Sequence, residues 1–153
     1  MTVARAVAAV LLVLTGTSAV AQAIPAAAAR VRVQHHLRVV ERLGEHFASV
    51  LKDECPRFSS AAAWDAYVDA ETDDLVLLIA HLEQAWIEAK RTDDDDVRRE
   101  AKAPRRRSAQ ARALVDKLSQ CAERNGATFS AVDVWRRVER DVPRRQAEIA
   151  LPQ

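Results

Sequence analysis

The sequence predicts an all-α protein, an up-and-down bundle of about four helices closed by one disulfide. Glycine is scarce, with three residues in 153, whereas strand-rich folds spend glycine freely at turns and bulges. Alanine, arginine, leucine and glutamate dominate, and these are good helix formers. Apolar residues recur at intervals of three and four within segments bounded by capping residues, prolines or Asn-Gly.

The first segment predicts export. One cation, Arg5, precedes the apolar run Ala6 to Leu14, and small residues then lead to Ala19-Val20-Ala21 and Ala21-Gln22-Ala23. That order is the layout of a secretory signal peptide over residues 1–23, with cleavage after Ala21 or Ala23. The competing reading is an uncleaved anchor, since no residue from Ala6 to Ala29 is charged and such a length can span a bilayer. Thr15, Gly16, Thr17, Ser18, Gln22 and Pro25 dilute it, which favours the signal. Residues 24–153 then form a single domain, periplasmic or extracellular, with no transmembrane segment after cleavage.

Helix 1 starts at Pro25, a suitable first-turn residue, and runs to about Lys52. Its stripe is Val33, Leu37, Val40, Phe47 and Leu51, flanked by Leu43 and Val50, and Cys55-Pro56 closes it. Helix 2 opens at Ser59 or Ser60, both competent N-caps. The run Leu75-Val76-Leu77-Leu78-Ile79 is apolar on every side, so this helix is the most central. It ends near Lys90-Arg91, where the helix dipole favours cations. Thr92 caps a new helix whose first turn is Asp93 to Asp96. Pro104 kinks or splits that third helix, which stops at Asn125-Gly126. Ser130 with Asp133 resembles a capping box for a last helix facing Val132, Trp135 and Val138 inward and ended or kinked at Val142-Pro143. The predicted core holds Leu37, Val40, Phe47, Leu75, Leu78, Ile79, Leu82, Trp86, Leu114, Leu118, Trp135 and Val138.

Charge is segregated along the chain. Residues 24–153 carry 22 basic and 22 acidic side chains, a balance that argues against a nucleic-acid partner. Asp65 to Asp96 nevertheless holds eleven acids and two bases, and Val97 to the end holds fourteen bases and seven acids. Either the two regions neutralise each other inside the bundle, each exposed pair contributing under about 1 kcal/mol, or they form a dipolar binding surface.

The two cysteines, Cys55 and Cys121, predict a disulfide. In an up-down-up-down bundle the first and third helices are parallel, so their C-terminal ends meet. A catalytic thiol pair would sit at closer spacing. The histidines are His35, His36, His46 and His81. They lack the Glu-x-x-His pattern of a di-metal bundle and read as polar edge residues; a metal site across helices 1 and 2 would use His36, His46 and His81. Asp65, Asp69 and Asp73 share a face of helix 2 and either collect a cation or lie beside arginines. Arg98, Arg99, Lys102, Arg105, Arg106 and Arg107 stand against Glu100 alone; Arg98, Arg99, Arg105, Arg106 and Arg107 are the candidate contacts to an anionic envelope surface.

Enzyme signatures are missing: there is no G-x-S-x-G, H-E-x-x-H, phosphate-cradling glycine loop or dinucleotide fingerprint, and no cofactor is expected. The sequence therefore points to an exported, non-enzymatic binding module of the cell envelope, its partner an envelope protein or an anionic surface. The alternative is a small-ligand or metal carrier that uses the bundle interior.

Overall fold

The computed structural model describes residues 23–102 and 105–152, apart from the side chains of Arg105, Arg106 and Ser108. The expected export segment lies outside the described residues except for Ala23, and Pro104 also lies outside them. Among those described, the chain is all-helical with five helices: α1 (Ala26–Lys52), α2 (Ala61–Ala89), α3 (Asp95–Lys102), α4 (Arg105–Asn125) and α5 (Ala131–Glu148). The expected count of four is corrected to five, because the third helix is divided into α3 and α4.

Several boundaries follow from local chemistry. Pro25 precedes α1, and Ser60 Oγ accepts from the Ala63 N–H at 3.2 Å to cap α2. Asp94, rather than Thr92, caps α3: its Oδ1 accepts from the N–H groups of Asp96 and Val97 at 2.9 and 3.0 Å. A carboxylate meets two orphan donors and the dipole at once, and those bonds hold the Asp94 carboxyl below its usual range. Gly126 ends α4 with φ +60°, left-handed backbone that favours glycine. Ser130 Oγ accepts from the Asp133 N–H at 3.2 Å and caps α5.

The long helices run up, down, up and down, with α3 inserted in the crossover from α2 to α4. Three side-chain pairs set the antiparallel register of α1 and α2: Arg32–Glu88 at 3.3 Å, His36–His81 at 3.1 Å and His46–Glu71 at 3.0 Å. α4 lies parallel to α1, with Gln110 donating to the Gly44 carbonyl and Lys117 to that of Asp53. Gly44 admits the Arg107 guanidinium, which would stand 2.5 Å from a Cβ placed there. α5 runs parallel to α2, tied by Arg137 to Asp69 and by Gln146 to Glu83.

The main core joins Val40, Leu43, Phe47, Leu75, Leu78, Leu114, Leu118, Val134 and Val138. Leu37, Ile79, Leu82, Trp86 and Trp135 are partly buried, not fully as expected. The inward face of α5 is also displaced from the expected one. Val132 is 66% exposed, while Val134, Val138 and Val142 are buried at four-residue spacing. Pro143 does not end the helix, which continues to Glu148. Pro143 and Glu139, whose carbonyl loses its helical donor, both lie on the exposed side, where solvent rather than a buried partner can meet that group.

Cys55 and Cys121 form the expected disulfide, with Cα atoms 5.2 Å apart. Trp64, Phe58, Tyr67 and Phe129 surround it. Asn125 clamps the neighbouring loop, accepting from the Phe58 N–H and donating to the carbonyls of Pro56 and Cys121. The Cys55-Pro56-Arg57-Phe58 loop is thereby fixed against the end of α4.

Replacing both cysteines by serine should lower unfolding free energy by about 4 kcal/mol, the chain-entropy figure for a loop of this length, read from urea midpoints. On α5, Val138→Ala should cost about 2 kcal/mol and Val132→Ser less than about 0.5 kcal/mol. The opposite ranking would show that α5 presents its other face.

Candidate functional site

Of the three proposed histidine ligands, the fold brings two together. His36 and His81 are buried, with their Nδ1 atoms 3.1 Å apart, so one carries the proton and the other accepts it. They are core residues, not the edge residues expected. His35 stands close by, its ring centroid 5.4 Å from that of His36 and 6.2 Å from that of His81. His36 Nε2 is buried without a hydrogen-bond partner among the described residues. Burial lowers the pKa values of both His36 and His81 to about 4, helped by the neighbouring histidines and, for His81, by Arg42. Both rings are therefore neutral near pH 7.

His46 belongs elsewhere. It lies ten residues from His36, about 15 Å along the helix, and its Nε2 approaches Glu71 at 3.0 Å and Asp74 at 3.7 Å. Burial raises the Glu71 carboxyl above its ordinary range, against the opposing His46 bond. Burial beside Glu71 pushes the Tyr67 hydroxyl up to about 12. Among the described residues no three histidine, cysteine, aspartate or glutamate side chains are grouped to hold a metal ion.

The aspartate rail of α2 lies beside an arginine. Arg137 donates to Asp69 and Asp73, both at 2.6 Å, and approaches Asp141 at 3.7 Å. Asp65, Asp69, Asp133 and Arg137 line a solvent-open cleft of about 510 Å³ between α2 and α5, with Val68 and Phe129 among its apolar lining.

The basic cluster is divided among several tasks. Arg107 packs on Gly44 and pairs with Glu41 at 2.6 Å. Arg98 pairs with Asp93 and Asp95, and Arg99 with Asp96. The side chains of Arg105 and Arg106 lie outside the described residues. Arg98, Arg99 and Lys102 nevertheless share a second cleft, of about 590 Å³, with Trp86, Lys90 and Asp95. Lys90 Nζ and Lys102 Nζ stand 5.0 and 4.8 Å from the Trp86 ring centroid, within cation–π range. Neither lysine has a carboxylate partner among the described residues, unlike the arginines beside them.

The sequence places Trp86 in the core and reads Lys90 as a helix-ending cation, not as a binding residue. The four-residue spacing of Trp86 and Lys90 was available as a signal, because such neighbours share a helix face. The approach of Lys102 depends on how α3 folds back and left no trace in the sequence.

The neutral His36–His81 pair makes stability depend on acidity. Both pKa values lie below the ordinary 6.5, so the unfolded chain takes up protons first as pH falls. Stability is fully present above pH 6.5 and declines towards pH 4. Urea midpoints at pH 7, 5.5 and 4 should show this loss, and His81→Gln should reduce its slope; an unchanged slope would locate the acid sensitivity elsewhere. Comparisons with known proteins give no counterpart for the pair or the clefts: no family model, curated protein or solved structure matches the chain.

Proposed function

We propose that the protein is an exported, non-enzymatic interaction module of the cell envelope that works through a dipolar surface. The supporting observation is the placement of two solvent-open clefts of opposite character along α2. Asp65, Asp69 and Asp133 line one against the single cation Arg137, while Lys90, Lys102, Arg98 and Arg99 line the other against the single acid Asp95. Asp65 and Lys90 are 25 residues apart on or beside one helix, about 37 Å. That separation exceeds the screening length of about 10 Å at 0.1 M salt, so a partner meets the two clefts independently. The cationic end is the one suited to an anionic envelope surface.

A second reading, a carrier of a metal or small ligand, draws on the His36–His81 pair and the unpartnered His36 Nε2. The pair's charged neighbour Arg42 opposes an added cation, and metal-ligating histidines normally donate their second N–H to an acceptor. Metal analysis and an absorbance spectrum of protein from its native compartment separate the readings. A stoichiometric metal or chromophore favours the carrier.

The interaction reading predicts that the protein sediments with anionic vesicles at about 0.1 M salt and is released near 1 M, where the screening length falls to about 3 Å. No sedimentation at low salt would overturn the proposed attraction to an anionic surface.

A further inference from the structure

We infer that the cleft between the C-terminal end of α2 and α3 docks on the phosphate headgroups of an anionic phospholipid surface, with Lys90 and Lys102 as headgroup contacts and Trp86 at the interface. This rests on the dipolar reading above and names the partner of its cationic end.

Four observations converge on this cleft. First, its two lysines are the cations not already neutralised. Arg98 and Arg99 are held by Asp93, Asp95 and Asp96, while the lysine ammonium groups rest on an indole ring. An incoming phosphate need not displace a carboxylate from either lysine. Second, Trp86 is half-buried and combines an apolar body with a polar N–H, the character that places tryptophan at membrane interfaces. Third, the same end of the bundle exposes two large apolar side chains, Val31 at 49% and Ile87 at 45%. The Arg32–Glu88 pair sets them at one level of the α1–α2 seam.

The fourth observation is where the chain enters the fold. The Ile24 N–H donates to the Arg91 carbonyl at 3.0 Å, and Ile24 packs in the same apolar cluster as Trp86, Val97 and Ala101. The apolar run ending at Leu14 precedes Ile24 by only nine intervening residues. Kept as an anchor, that run would tether Ile24, and with it this cleft, near a membrane.

Each lysine near an anionic membrane adds on the order of 1 kcal/mol. Lys90→Ser with Lys102→Ser should therefore weaken binding to vesicles of phosphatidylglycerol and phosphatidylcholine by about thirtyfold. The Lys→Arg pair should retain binding. Arg136→Ser with Arg140→Ser, on exposed positions of α5, should leave it unchanged. Brominated phosphatidylglycerol should quench the emission of the wild type, and Trp86→Phe should abolish that quenching while circular dichroism stays helical. Wild-type binding that survives the serine pair overturns this inference and leaves the dipolar reading standing; no wild-type binding overturns both. Equal binding to pure phosphatidylcholine overturns the role of headgroup charge. Displacement by millimolar inorganic phosphate at matched ionic strength reassigns the cleft to a soluble phosphate and overturns docking on a lipid surface.

Discussion

The seam between α1 and α2 is the constraint on which the other helices depend. It is laced by Arg32–Glu88, His36–His81 and His46–Glu71, whose partners advance along one helix and retreat along the other. Buried polar groups must find partners or leave a desolvation cost uncompensated, so a slipped register would strand several at once. Glu88 shows this most fully: it is buried yet receives Arg32, Arg91 and Gln84. Specificity of register therefore comes from side chains that a hydrophobic pattern does not score. Once the seam is set, α4 and α5 pack on its two helices, and α3 covers the end where α1 begins.

The readable parts of the sequence were those whose physics is local. α1 begins after Pro25, Ser60 and Ser130 cap helices through bonds to the third residue beyond them, and Gly126 supplies the left-handed turn. The disulfide was also readable, because alternating helix direction brings two distant ends together. The buried polar residues were not. His36 lies 45 positions from His81, and Glu71 lies 25 from His46, so the histidines read as edge residues and nothing nearby in sequence marks their partners. The face of α5 was misread because Val132, Trp135 and Val138 make as regular a stripe as Val134, Val138 and Val142. Only packing against α2 selects between them.

The charged side chains are similarly divided between local and distant causes. Arginines 98 and 99 are satisfied by the aspartates just before them, which sequence proximity suggests. Arg107 depends instead on Gly44, a residue on another helix whose missing side chain opens its seat. The candidate site contracts accordingly, from a broad arginine cluster to the smaller grouping of two lysines on one indole. His46 leaves the histidine group through its own carboxylate partners, and His35 comes nearer to it than any spacing rule suggested.

The disulfide closes residues 55 to 121 into a covalent ring that contains α2, α3 and nearly all of α4 up to Cys121. A single backbone cut anywhere inside that ring, including the α3–α4 connection, leaves both pieces attached to each other. In a compartment rich in proteases and poor in reductants, such a nick changes chain connectivity without releasing a fragment. α1 and α5 project from the ring as two tails, and a cut in either tail is the kind that sheds material.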